Sequence, residues 1–147
     1  MAVRASREVL IDATPEEILD VLADIDQVPT WSAVHKSAEV VDTHPDGRPH
    51  HIKATLKILG ITDKEFLEYH WGRWWMVWDA EPTFQQHGQH GEYNLTPEAG
   101  KTRVRFDITL ELSAPIPQFL IRRGKKIVLD VALDDLRRRV HALKRVD

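Results

Sequence analysis

Three side chains in this sequence have the chemistry for proton transfer on a carbonyl substrate: His87, Tyr93 and Arg123. An imidazole titrates near neutral pH and can give or take a proton, a phenol can donate one, and a guanidinium can stabilise a developing oxyanion. Together they would suit acid–base chemistry at a carbonyl group. No motif backs them, because G-x-S-x-G, H-E-x-x-H, G-x-G-x-x-G and the P-loop pattern are all missing from the chain. The eight histidines raise the question of a metal. His87 and His90 lie three apart on a predicted strand and point to opposite faces, His50-His51 follows a turn, and His35, His44, His70 and His141 are scattered. The expectation is therefore no metal site and no cofactor. With no cysteine, disulfides, thiolate ligands and a thiol nucleophile are excluded together.

Binding is the stronger theme. A turn at Pro97–Gly100 that pairs Tyr93 with Val104 places His87, Gln89, Gly91, Tyr93 and Leu95 on one face, with Phe106, Ile108 and Leu110 beside them. The alternate positions Arg103, Arg105, Asp107 and Glu111 read as solvent-facing. Inward polar groups at His87 and Gln89 cost about 1–3 kcal/mol each if unpaired, so they mark either a ligand's polar end or a solvated strand end. Trp71–Trp78 holds four of the five tryptophans. Strand parity puts Trp74, Met76 and Trp78 on one face, as core or as the rigid wall of a pocket.

These residues need elements to hold them. Val3, Val9 and Ile11 mark a first strand over 3–12, and Thr14-Pro15-Glu16-Glu17 is a helix start with a capping box. A short second helix is predicted around Thr30–Val34. Strands follow at about 36–43, 50–59, 62–71, 74–80, 84–96 and 102–112, separated by Gly and Pro turns. After Pro115-Ile116-Pro117 one long helix carries a stripe through Leu120, Val128, Ala132, Leu136, Val140 and Leu143, interrupted by Gly124. A helix-interior glycine costs about 1 kcal/mol against alanine, which points to close approach to the sheet or to room for a ligand at Leu120, Gly124 and Val128. The order predicts an α+β fold in a single domain, 1–147.

Composition agrees. The 147 residues are 42% hydrophobic and 29% charged, as in ordinary globular proteins. A net charge of −3 lacks the basic excess that nucleic acid requires. No segment approaches the roughly 20 apolar residues of a membrane span, so stable membrane insertion is not expected and the expected location is cytoplasmic. The run Arg137–Arg139 reads as a solvated helix face. Nothing in the pattern fixes an oligomeric state.

The stretch IDATPEEILDVLADIDQVPTWSAV, with its Pro-Glu-Glu helix and the Asp24 to Trp31 spacing, resembles the opening of the START-like (SRPBCC) superfamily in its polyketide cyclase/dehydrase and coenzyme-Q-binding branch. Tyr93–Pro97, Gly100–Val104 and the amphipathic terminal helix extend the resemblance over nearly the whole chain, and it is nearest to actinobacterial cyclase-like members. The resemblance implies a helix-grip (Bet-v-type) fold, a curved seven-stranded antiparallel sheet around the last helix, enclosing an apolar cavity. It also implies binding or transport of a hydrophobic small molecule, a lipid, an isoprenoid or quinone, or a polyketide-derived ring. The alternative is a polyketide aromatase/cyclase or dehydratase-like enzyme, and a dimeric interaction module with a filled interior is the third class.

Overall fold

The computed structural model describes residues 1–146. Seven antiparallel strands form one sheet in the order β1-β7-β6-β5-β4-β3-β2. They are β1 (Ala2–Ile11), β2 (His35–Thr43), β3 (Pro49–Ile58), β4 (Ile61–Trp71), β5 (Trp75–Ala80), β6 (Gln86–Glu98) and β7 (Lys101–Leu112). The helical segment between β1 and β2 carries the chain from one edge of the sheet to the other. It begins with α1 (Pro15–Ala23), where Thr14 Oγ1 accepts from the Glu17 amide at 3.1 Å and Glu17 Oε1 accepts from the Thr14 amide at 2.9 Å. A 3-10 turn (Ile25–Gln27) leads into α2 (Val28–Trp31). This second helix starts two residues before its predicted position, because Pro29 occupies a first-turn site where its missing N–H is not needed.

Two hairpins end in two-residue turns with both residues at positive φ: Leu59 at 52° with Gly60 at 81°, and Ala99 at 51° with Gly100 at 82°. The second turn makes Glu98 face Lys101, so Tyr93 pairs with Phe106 rather than with Val104. That is a slip of two residues, which keeps the side chains from Gln89 to Leu95 on their predicted faces. Pro97 is tolerated inside β6 because β5 reaches only to Asn94 opposite Trp75.

The C-terminal helix runs unbroken through α3 (Gln118–Leu129), a widened π turn (Asp130–Asp135) and α4 (Leu136–Val146). Tyr93 Oη donates to the Ala132 carbonyl at 2.8 Å inside the π turn, and Arg7 holds its outer side through Asp130 at 3.0 Å and Asp134 at 3.2 Å. The main core lies under α1, the π turn and α4, where Ile18, Val104, Phe106, Leu133, Leu136 and Val140 are all nearly inaccessible. By contrast, α3 fully buries only Ile121. The helix therefore grips the sheet with its second half and spans a hollow with its first. Among the described residues no helix is long and apolar enough to cross a membrane.

Candidate functional site

The hollow is a cavity of about 330 Å³ between α3 and the concave face of the sheet, within the usual range for small-molecule pockets. Its sheet wall is aromatic. Trp78 stacks with Tyr69 and with Phe106, each at 5.7 Å between ring centroids, and Tyr93 lies 4.8 Å from Phe106. Gly91 is directly opposite Trp78 across the β5–β6 ladder. A Cβ there would sit 2.2 Å from the indole, so only glycine allows the ring to lie flat across β6. Leu120, Ile121, Gly124 and Val128 of α3 form the opposite wall. Leu59 and Ile61 also line the cavity while 37% and 47% exposed, which places its mouth at the β3–β4 turn. A Cβ on Gly124 would meet Leu59 Cδ1 at 3.9 Å, so helix and turn approach each other at this rim.

A short polar relay interrupts the apolar lining. Trp78 Nε1 donates to Gln89 Oε1 at 2.8 Å, and Gln89 Nε2 donates to Glu65 Oε2 at 3.0 Å. Glu65 is 8% exposed. Burial first, and the neighbouring Asp63 carboxyl second, push its carboxyl up to about 8, so it is largely protonated at neutral pH. Gln86 is fully buried in the wall; its Nε2 donates to the Glu81 carbonyl at 3.1 Å, while its Oε1 has no partner. Trp31 Nε1, contributed to the cavity lining by α2, is also unpartnered. His35 contacts Ser32 Oγ through Nδ1 at 2.6 Å, and burial lowers its pKa to about 4, leaving it neutral.

Eight sequence-predicted binding residues line the cavity: Met76, Trp78, Gln89, Tyr93 and Phe106 from the sheet, and Leu120, Gly124 and Val128 from the helix. Three predicted residues lie elsewhere. A bulge between Gln86 and Gly88 reverses the parity of β6, turning His87 out to solvent and Gln86 inward. Trp74 precedes the first residue of β5, so strand alternation does not govern it. It packs at the edge of the main core, with Nε1 3.4 Å from Glu16 Oε1 and the Arg73 guanidinium over its ring. Arg123 is exposed on the far side of α3. The predicted acid–base set of His87, Tyr93 and Arg123 is therefore not assembled. Tyr93 alone lines the cavity, its hydroxyl is committed to the Ala132 carbonyl, and burial drives its phenol well above the ordinary range.

The residues that sequence reasoning missed are Trp31, His35, Glu65, Tyr69 and Gln86. For Glu65 the signal was present: Asp63, Glu65, Leu67 and Tyr69 alternate along β4, and two of these four are apolar enough to fix the inward face. The scattered reading of the histidines also fails for one group, because the fold gathers His44, His50 and His70.

The model of the family described as "Polyketide cyclase / dehydrase and lipid transport" matches residues 2–141. No curated protein matches the sequence. Among solved structures, a START superfamily protein from Mycobacterium smegmatis superposes with a TM-score of 0.86 at 19% identity, over 95% of this chain and 98% of that one. A Thermus thermophilus protein gives a TM-score of 0.77 at 24% identity, over 97% and 99% of the two chains. The Zhui aromatase/cyclase from a Streptomyces species gives 0.78 at 13% identity, over 100% and 97%. At these identities the likeness is one of fold.

Proposed function

The chain belongs to the polyketide cyclase/dehydrase and lipid transport family, and on that premise we propose that it binds a hydrophobic small molecule carrying at least one polar group. The observation that carries this reading is the cavity itself, an apolar hollow with two unpartnered polar atoms in its wall, the Trp31 N–H and the Gln86 carbonyl oxygen. Burial of the ligand's apolar body supplies the affinity, at about 25 cal/mol per Å². The donor at Trp31, the acceptor at Gln86 and the protonated Glu65 orient its polar end, since each unmade hydrogen bond at a buried group costs about 1–3 kcal/mol. A lipid, an isoprenoid or quinone, and a reduced polyketide ring all have this character, and cytoplasmic carriage of such a compound remains the proposed setting.

The test is native mass spectrometry of the purified protein for a co-purifying apolar compound, together with titration of anilinonaphthalene sulfonate followed by tryptophan fluorescence. Saturable binding weakened by Gln86→Leu supports the reading. No bound compound and no saturable titration would refute it.

One observation favours the enzymatic alternative, a carboxyl kept protonated inside the cavity. In a polyketide cyclase or dehydratase, Glu65 would give its proton to the carbonyl oxygen as an enol carbon attacks that carbonyl, and the proton released when the enol oxygen re-forms its carbonyl would restore the Glu65 carboxyl. A cyclase reading predicts that Glu65→Gln abolishes product formation from a poly-β-ketone with little loss of binding, whereas a carrier forms no product with either residue.

A further inference from the structure

Four histidines from three segments of the chain meet at the end of the sheet opposite the cavity mouth. His44 lies in the β2–β3 turn, His50 and His51 stand at the start of β3, and His70 is near the end of β4. A ring nitrogen from each of His44, His50 and His70 lies within 4.8 Å of the other two. The His44 and His50 ring centroids are 4.1 Å apart, and the His70 ring is 5.2 Å from His44 and 5.4 Å from His50. Asp42, His50 and His51 make a second trio that shares His50.

The hydrogen bonds around the cluster already set the rings for ligation. His44 Nε2 donates to the Tyr69 carbonyl at 2.7 Å, which fixes the tautomer that leaves the Nδ1 lone pair free. A backbone carbonyl holding one ring nitrogen while the other faces inward is the usual outer support of a metal-bound imidazole. His70 Nε2 is 3.0 Å from Glu68 Oε2, which supports that ring in the same way. His50 lies between Asp42 at 3.7 Å and Glu68 at 3.8 Å, beyond hydrogen-bond reach of both, so neither carboxylate occupies its nitrogens. The hairpin beneath is rigidly placed. Arg48 pairs with Asp20 at 2.9 Å and lies over the Trp71 ring, whose Nε1 donates to the Pro49 carbonyl at 2.8 Å.

We propose that His44, His50 and His70 form a binding site for a divalent transition-metal ion of the zinc, nickel or copper class, clasping the β2–β3 hairpin to β4. Imidazole suits these ions and not magnesium or calcium. Tetrahedral ligation at about 2.0–2.1 Å sets the ligand nitrogens roughly 3.3 Å apart, so the half-buried rings close by up to about 1.5 Å through side-chain rotation. Asp42 and Glu68 lie at the rim and reduce the ion's charge. The site shares no ligand side chain with the small-molecule cavity, and eight residues of β3, about 26 Å of strand, separate His50 from the turn at its mouth, although Tyr69, whose carbonyl holds His44, also lines the cavity's inner end.

The test uses the full chain freed of any histidine tag, titrated with zinc chloride in a calorimeter, with cobalt(II) absorption as the spectroscopic readout. One ion per chain is expected, with cobalt bands of tetrahedral intensity and a rise in melting temperature on adding zinc. His50→Ala should weaken binding by at least about tenfold because both trios lose a ligand, and His141→Gln should leave it unchanged. Circular dichroism of the metal-free variants confirms folding; should His50→Ala not fold, His44→Ala and His70→Ala carry the same expectation. Absence of saturable zinc binding overturns the proposal. So does binding that survives loss of His50, or of His44 and His70 in its place.

Discussion

Glu65 and His35 line the same cavity, and burial acts on them in opposite directions. The Glu65 carboxyl goes from 4.5 to about 8 in the folded chain, so between those values the unfolded chain has lost a proton that the folded chain keeps. Its stabilising contribution is complete below pH 4.5 and disappears as the pH rises through about 8. His35 falls from 6.5 to about 4, so its contribution is complete above pH 6.5 and lost as the pH falls through about 4. The two slopes oppose each other between 4.5 and 6.5. Above 6.5 His35 no longer contributes, Glu65 loses its contribution toward 8, and His51 and His90, raised above 6.5 by their hydrogen bonds to Asp42 and Glu92, act in the same direction, so the melting temperature should decline. Glu65→Gln should reduce that decline and leave the variant more stable than the parent above pH 8, by up to a few kcal/mol; an undiminished slope in thermal melts of Glu65→Gln would show that the surface histidines and not Glu65 carry it. Residues such as these were hard to read from sequence. A charged residue on a strand is normally solvated, so Glu65 was overlooked although its parity with Leu67 and Tyr69 was visible. His87 was misplaced for a different reason: a single-residue bulge in β6 leaves no trace in residue types, yet it exchanges His87 for Gln86 at the wall.

At the scale of the element, the terminal helix has two halves with different tasks. The period of its apolar stripe was legible, as was the oddity of Gly124, but the π turn was not. Its trace is the run Val131, Ala132 and Leu133, all buried, where an α-helix would bury only part of such a run. The turn brings the Ala132 carbonyl to the Tyr93 hydroxyl and anchors the helix just where its gripping half begins. Tyr93→Phe should therefore cost about 1 kcal/mol in denaturant melts with little change in probe affinity; a large affinity loss would mean that the hydroxyl serves the ligand. Toward the mouth, a methyl on Gly124 meets nothing nearer than Leu59 at 3.9 Å. Gly124→Ala should thus stabilise by up to about 1 kcal/mol through helix propensity. Gly124→Leu extends toward Leu59 and narrows the rim, and stopped-flow uptake of anilinonaphthalene sulfonate should slow while the melting temperature shifts little. Unchanged uptake would place the mouth elsewhere.

For the whole molecule, the meander of antiparallel strands and its closing helix followed from element order alone, because short turns leave sequential strands few ways to pair. What converges from distant strands did not. The cavity relay joins β4, β5 and β6, and the histidine cluster joins the β2–β3 turn, β3 and β4, so both depend on registers that only the folded sheet displays. The cavity mouth and the histidine cluster lie at opposite ends of β3 and β4, while the cavity wall runs along β4 as far as Tyr69, beside His70. The mouth is bounded by α3, which buries little and can yield, whereas the histidine end is braced by Arg48, Asp20 and Trp71. A ligand that binds only the folded chain stabilises it in proportion to the logarithm of its concentration over its dissociation constant, and the effects of two ligands that touch different side chains add as long as Tyr69, whose carbonyl holds His44 and whose ring lines the cavity, keeps its place. Zinc and a cavity probe together should therefore raise the melting temperature by the sum of their separate increments, and saturating zinc should leave the probe's affinity unchanged within about twofold. His50→Ala should remove the zinc increment alone, and Gln86→Leu should reduce the probe increment alone. Melts of the parent and both variants, with each ligand singly and together, measure this. A combined increment well above or below the sum would mean that β3 and β4 transmit strain from the clasped hairpin to the mouth, and that the two ends of the sheet act as one device.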